Sequence, residues 1–446
     1  MDKDGLLELA SEGTRAAKGA GDCDTLAVYS REASALIEKN TVKACEVEYS
    51  SGFSVRAMCR GGVGFARCAG LSAEEAREAG AEAVRMACEA EADPDFVALP
   101  EPERAVEPRG LFDSRTAEIE PSRVVGWCLE CVEAAKEIMP DIVVKCSAGA
   151  GFSRRALANS RGVAVAEEHS SVGLSVVCVA KRGDDVGSYY DYTLGRSLAD
   201  LKPPREVAVE AATRAVSLLG ARKIPGGKYP ALLGPHAASD LVRGVIDAAD
   251  AESIQRKRSF LAGRRGERIA PSFFTVIEDP LFEAGIYSSA ADGEGVPHRK
   301  AALIDSGVLA EYLHNSYTAN KAGEPNNGHA HRSSHMSDVG IAATNISVAP
   351  GARTEAKIIA GMSRGLFILM ASIAPHSVTG QISGTVDQGF WIENGEIAYP
   401  VKNVMIGGEI FEFLESIEEM SSDMRREPGN EMPSMLVGVA HISGGG

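Results

Sequence analysis

No cysteine follows Cys178 in this chain of 446 residues; all nine lie between Cys23 and Cys178. An odd number at irregular spacing suggests no disulfide framework, and the C-terminal half has no thiolate to offer a metal. Aromatic residues are scarce, at 6%, which leaves little surface for stacking bases. Positive charge is short as well, and a net charge of −16 repels a nucleic-acid backbone. Long apolar runs are missing. The longest, Gly365 to Pro375, is far short of the ~20 residues a membrane helix needs. The polar start Met1-Asp2-Lys3-Asp4-Gly5 shows no secretory character. These absences predict a cytoplasmic protein that binds neither nucleic acid nor membrane.

What is present fits a globular protein: 44% hydrophobic and 24% charged residues, in a chain long enough to bury a large core. Apolar spacing predicts a helix over the first 20 or so residues, then strands at 24–30, 44–50 and 52–59. Ser72 and Glu75 form a capping box that opens an Ala-rich helix. Residues 93–109 read as an extended crossing, and Pro121 starts another helix. Short β-type runs at 141–147, 152–158, 162–169 and 172–181 read as a meander. A helix over about 205–219 follows. The segment from Ile224 to Pro230 marks a boundary, with one helix at about 236–251 and many short strands beyond it. The predicted fold class is α+β, with an N-terminal α/β domain (1–222) and a β-rich C-terminal domain (223–446).

Several motifs carry potential chemistry. Cys128 and Cys131 form a CxxC, but share a helical face with Val124, Ala135 and Ile138, so they read as core. Gly361-Met362-Ser363-Arg364-Gly365 fits G-x-S-x-G with helix before and strand after, the reverse of a nucleophile elbow. His329, His331 and His335 lie in one polar loop, the only metal-like grouping in the sequence. Without a shared helix face they read better as a cleft lining. Arg256, Lys257, Arg258, Arg264, Arg265 and Arg268 make a basic stretch that reads as a solvated face with structural ion pairs, or as a patch for an acidic partner or a peptide carboxylate. Asp292-Gly293-Glu294-Gly295 reads as a tight turn with exposed acids.

Five landmarks in order cover nearly the whole chain: Asn159-Ser160-Arg161-Gly162; Ser259-Phe260-Leu261-Ala262-Gly263; Gly293-Glu294-Gly295-Val296-Pro297; Asn326-Asn327-Gly328-His329-Ala330; and Gly389-Phe390-Trp391-Ile392-Glu393-Asn394-Gly395 closed by Tyr399-Pro400-Val401. Together they resemble the TldD/PmbA family, also labelled modulator of DNA gyrase. The resemblance implies a zinc protease in the TldD branch, with an HExxxH helix just before the S-F-x-x-G landmark and a Cys ligand near the C-terminus. Here the matching helix, Ala238 to Asp247, holds no His and no Glu, and His236 precedes it alone. That departure is similar to the TldE (PmbA) branch, which lacks the zinc motif.

The resemblance therefore implies a subunit of a TldD/TldE-type metalloprotease acting on unfolded peptides. Its own catalytic residues and cofactor would be none, with zinc in a TldD-like paralogue. Partners would be that paralogue, or a second copy, and the peptide. The expected substrate-facing residues are His329, His331, His335, Arg256, Arg258 and Arg264. Phe411, Phe413 and Leu414 are expected near the subunit interface. Two other readings stand beside it: a self-sufficient metal-dependent hydrolase built on the three histidines, and a non-enzymatic peptide-binding scaffold or homodimer.

Overall fold

A computed structural model describes residues 1–444. Helix α1 (Lys3–Ala17) is capped by Asp2, whose carboxylate accepts the Gly5 N–H at 2.9 Å. Strands β1 (Cys23–Glu38), β2 (Thr41–Cys59) and β3 (Gly62–Cys68) lead into α2 (Ala73–Glu89). Its capping box is formed, with Glu75 N–H on the Ser72 hydroxyl at 3.2 Å and Ser72 N–H on the Glu75 carboxylate at 3.1 Å. The single turn α3 (Ser114–Ala117) precedes α4 (Pro121–Ile138), which starts on proline as expected. Strands β4 (Val143–Asn159), β5 (Ala164–Arg182) and β6 (Asp185–Gly195) and helix α5 (Pro204–Ser217) complete the first half.

The six strands form one sheet in the order β3-β2-β1-β4-β5-β6, antiparallel throughout. Alternation assigns the faces. Ala33, Ala35 and Ile37 of β1 and Val144, Cys146 and Ala148 of β4 point to the helices. Those helices meet the sheet through small residues: Ala76, Ala79, Ala83 and Ala87 of α2, and Ala208, Ala211, Ala212 and Ala215 of α5. Cys128 and Cys131 are buried in this layer beside Val124 and Ala135. Ile138, expected on the same stripe, is exposed.

The sequence pattern predicts shorter segments, among them 44–50 and 52–59, 141–147 and 152–158, and 162–169 and 172–181, yet each of these pairs runs through as one strand. A Cβ at Gly151 would run into the Arg31 carbonyl of the paired strand, so glycine here permits close pairing and does not end the strand. A second correction concerns sulfur. Cys59 at the end of β2 and Cys88 in the last turn of α2 form a disulfide, with Cα atoms 5.0 Å apart. The packing of α2 on β2 and β3, invisible to spacing rules, brings them together.

The second half begins with β7 (Gly227–Leu233), α6 (Pro235–Asp247) and α7 (Ala251–Gln255). It continues through β8 (Val276–Glu278), β9 (Ala301–Asp305), β10 (Val308–Leu309), α8 (Ser316–Ala322), β11 (Ala330–His331), β12 (Gly340–Ile341) and β13 (Ile346–Val348). Then come α9 (Glu355–Gly361), β14 (Arg364–Ala371), β15 (Gln381–Glu393), β16 (Glu396–Pro400), β17 (Val404–Glu409), α10 (Ile410–Glu415), β18 (Ile417–Glu427) and β19 (Asn430–Gly444). The half is β-rich. Strand β7 pairs with both β14 and β19, so β19, β17, β15, β14 and β7 close into a ring. Ser363 sits in the turn from α9 to β14, as the sequence predicts, and Asn394-Gly395 makes the β15–β16 hairpin. Phe413 and Leu414 are buried inside this half's own core. They are therefore not surface residues that a partner could cover.

Candidate functional site

Helix α6 occupies the position that the resemblance reserves for a metal-binding helix. It starts at Pro235, directly after β7 and Gly234, whose N–H binds the Ile368 carbonyl at 2.8 Å. Its apolar face, Ala237, Ala238, Leu241, Val242, Val245 and Ile246, is buried. Its polar side chains serve as tethers. Asp240 accepts the N–H groups of Ile373 and Ala374 at 2.6 and 2.8 Å. Arg243 reaches the carbonyls of Ala343, Thr344 and Gly429, and Ser239 accepts from Asn430 at 2.6 Å.

His236, in the first turn, faces the six-stranded sheet. Its Nε2 meets the Tyr190 hydroxyl of β6, and the two rings lie edge-on, 5.5 Å apart. Its Nδ1 is buried without a partner. Burial holds this imidazole below its usual range and pushes the Tyr190 phenol up to about 12. Beside them Arg425 donates to Asp191 at 2.7 Å and lies over the Tyr192 ring at 5.4 Å. Glu427 comes within 2.7 Å of Arg425 Nε, yet that oxygen accepts no aligned hydrogen bond. Burial, and then the charge of Asp191, push the Glu427 carboxyl up to about 8. Asp387, near His236, is raised by burial as well. A cavity of about 500 Å³ opens beside this cluster, bounded by Tyr192 to Gly195 of β6 and by segments 282–286 and 424–431.

These residues do not fit a zinc ion. A zinc site needs three or four His, Cys or carboxylate donors converging on one point. Here the guanidinium of Arg425 lies between Asp191 and Glu427, and the Nε2 of His236 is taken by Tyr190. Among the described residues no three His, Cys, Asp or Glu side chains are grouped to hold a metal ion.

The three loop histidines, expected together, are held apart. His329 is inside the fold, with Nε2 on Glu278 at 2.6 Å and Nδ1 on Asn327 at 2.8 Å. Burial works against its protonation, but the Glu278 carboxylate outweighs it and His329 rises. Glu278 falls correspondingly, against burial, through His329 and through Thr344, which donates its N–H and hydroxyl at 2.6 and 2.9 Å. His331, on β11, is exposed, and His335 lies against the first sheet at Gly52. No hydrogen bond or ion pair joins Arg256, Arg258 or Arg264 to these histidines. Arg256 pairs with Glu252 at 2.6 Å, and Arg264 pairs with Glu267 at 3.1 Å while lying 4.1 Å from the Phe411 ring.

The acids expected in an exposed turn at 292–295 are buried. Glu294 pairs with Arg56 at 2.8 Å and accepts the Ser316 N–H at 2.8 Å. Asp292 accepts three backbone N–H groups, from Glu294, Val296 and Ala330. Burial and the charge of Glu294 still push its carboxyl up to about 6. Arg56 and Arg332, each 2% exposed, share Asp24. Burial opposes that carboxylate's charge, but the two guanidiniums outweigh it and hold Asp24 below the usual range. This ionic layer fastens the second half to the bare face of the first sheet. Arg56 was legible as an anomaly, a charge inside the apolar strand Phe53–Met58. The run Tyr189-Tyr190-Asp191-Tyr192 and the charged hairpin Arg425-Arg426-Glu427 offered a weaker signal.

Comparison with known proteins gives a consistent result. Models of PmbA/TldA metallopeptidase domain 1, central domain and C-terminal domain match residues 23–87, 115–219 and 226–444. The chain is 28% identical over 333 residues to Metalloprotease PmbA of Escherichia coli O157:H7, covering 74% of this chain and 71% of that one. It is 26% identical over 362 residues to the Metalloprotease PmbA homolog of Haemophilus influenzae, covering 80% and 76%. The crystal structure of TldE from Thermococcus kodakarensis superposes with a TM-score of 0.90 at 22% identity, over 99% of this chain and 100% of that one.

Proposed function

The chain belongs to the PmbA/TldD metallopeptidase family, and from that premise we propose that it is the TldE-like subunit of a zinc metalloprotease, the one that holds no metal itself. The observation that carries this reading is the donor set at α6. Where a metallopeptidase of this family needs ligands and a base, this chain has a tyrosine-bound histidine and an arginine between two carboxylates. A positive charge there opposes a metal ion by direct repulsion. The matching partner is an HExxxH-bearing relative, and unfolded peptide is the substrate of the pair. The absence of a long apolar helix among the described residues accords with work inside the cytoplasm. The chain's contribution is to complete the peptide-binding chamber and to stabilise the partner.

Co-expression with an HExxxH-bearing relative tests this. The two should co-purify, zinc should follow the relative, and the pair should cleave denatured casein. Replacing the relative's HExxxH Glu should stop cleavage, since losing the base and metal-bound nucleophile costs orders of magnitude in rate. EDTA-sensitive cleavage of casein by this chain alone would overturn the proposal. So would one tightly held zinc per chain that is lost on His236→Ala.

A further inference from the structure

The face of the first sheet that carries no helix is only partly covered by the ionic layer. Next to Asp24 it opens into a cleft of about 290 Å³, roofed by Gly293 and by Arg332 to His335. The floor is set by strand register. Ser30 of β1 pairs with Ser50 of β2 on one side and Ser153 of β4 on the other. Paired residues point to the same face, so three hydroxyls stand in a row about 4.8 Å apart. Among the described residues none of these three hydroxyls has a hydrogen-bond partner. Ser50 and Ser153 are exposed and mark the mouth. Deeper in, Leu26, Leu157 and Val165 form an apolar wall.

The polar groups at the roof are unusual. Arg332 spends one nitrogen on Asp24, at 2.7 and 2.8 Å, and its buried Nε has no partner. The Nδ1 of His335 is buried without a partner too. Its ring is admitted by Gly52, where φ is +154° and a Cβ would overlap the imidazole. Arg155 adds a guanidinium that already balances Glu167 at 2.7 Å. Among the described residues Asp292 is the one carboxylate in the wall, and backbone N–H groups fill both its oxygens. Buried donors without acceptors are costly to leave unmatched. The cleft therefore offers a guanidinium N–H that lacks an acceptor and an unpartnered imidazole nitrogen, beside an apolar wall.

We propose that this cleft binds a carboxylate carrying a short apolar group, as presented by the C-terminal residue of a peptide or by a free branched acid. A carboxylate suits the one unpartnered N–H of a guanidinium and a row of hydroxyls. The apolar wall takes the side chain and disfavours a compact dianion such as phosphate. The volume admits one residue or a small acid, so the site reads an end and not a long segment. The inference does not depend on the subunit reading, because the chain alone contains the whole cleft.

Binding of four probes to the purified chain, by titration calorimetry, tests it: isovalerate, the tripeptide Ala-Ala-Leu, its C-terminal amide and inorganic phosphate. Saturable binding of isovalerate or the free tripeptide at one per chain is expected, with the amide about tenfold or more weaker. Binding of the tripeptide alone identifies a peptide end as the source, and binding of isovalerate alone identifies a free acid. Ser153→Phe, made at an exposed position, should fill the mouth and abolish binding while the melting temperature holds. Arg332→Lys, which keeps the charge but loses the guanidinium, should weaken it. Equal binding of acid and amide, tighter binding of phosphate, no saturable binding at millimolar probe, or binding unchanged in Ser153→Phe would each overturn the proposal.

Discussion

His329 and His236 belong to two regions that treat the same side chain in opposite ways. At His329 the imidazole is saturated. Both nitrogens of His329 are hydrogen-bonded, and its carboxylate partner is saturated in turn by Thr344. At the start of α6 the imidazole of His236 has one nitrogen on the Tyr190 phenol and the other on nothing, and the same cluster holds Glu427, a carboxyl pushed up to about 8. The first arrangement is built for stability. The second retains groups whose protonation is open to change, beside a large cavity. Of the clustered histidines, His329 is thus tied into the fold, while the isolated His236 keeps a nitrogen without a partner.

The largest expected effect breaks the first region. His329→Ala leaves Glu278 buried without its cation, and breaking such a pair typically costs about 3 kcal/mol or more. His331→Ala, at an exposed position, should change stability by under about 0.5 kcal/mol. Urea unfolding of the two variants measures the contrast, and equal losses would remove the distinction drawn here. The pair also has a pH signature. His329 is raised, so its contribution is full below the usual imidazole range and lost as pH rises through its folded value. Glu278 is lowered, so its contribution is present above the usual carboxylate range and lost as pH falls through its folded value. The pair stabilises most between those two ranges, and His329→Ala should flatten the profile there.

A smaller effect sharpens the second region. Glu427 is raised from 4.5 to about 8, so the folded protein holds a proton that the unfolded chain has lost. Stability attributable to this group therefore falls as pH rises from the ordinary carboxylate range to about 8. Glu427→Gln removes that slope. One pKa unit corresponds to about 1.4 kcal/mol, so the variant should gain more than about 1 kcal/mol on the parent between mildly acidic and mildly alkaline pH. Asp191→Asn should reduce the slope in part, since Asp191 is the second cause of the shift. Parallel profiles for parent and Glu427→Gln would mean that Arg425, at 2.7 Å, holds the carboxylate ionised after all.

How much of this was legible follows from the range of the signals. Helix starts were, because Ser72 with Glu75 and Pro121 act within one turn. The α+β class and the β-rich second half were legible for the same local reason. Strand lengths were not, because whether a residue such as Gly151 ends a strand depends on the neighbouring strand. The family landmarks pointed to α6, but the cluster beside it draws on positions 190–192, 387 and 425–427. No spacing rule joins them. The burial of Asp292 and Glu294 likewise required knowing that Arg56 and Arg332 arrive from opposite halves.

The smallest effect concerns the basic stretch, which is neither saturated in the interior nor poised beside a cavity. Arg264 is 42% exposed, pairs with Glu267 at 3.1 Å and lies 4.1 Å from the Phe411 ring. Exposed ion pairs are screened by solvent, and a surface cation–π contact adds little, so Arg264→Ala should cost about 0.5 kcal/mol. The ionic part of that loss should fade in high salt, while the ring contact persists. Arg256 pairs only within one turn, with Glu252, and Arg256→Gln should be within the error of the melt. A function for this stretch would then appear in binding and not in folding. The variant combining Arg256→Gln, Arg258→Gln and Arg264→Gln should keep its melting temperature and weaken capture of an acidic peptide, with a shallower salt dependence than the parent. A loss above about 2 kcal/mol from Arg264→Ala alone would place the stretch with His329 as structure, and unchanged capture by the triple variant would remove it from the peptide-binding surface.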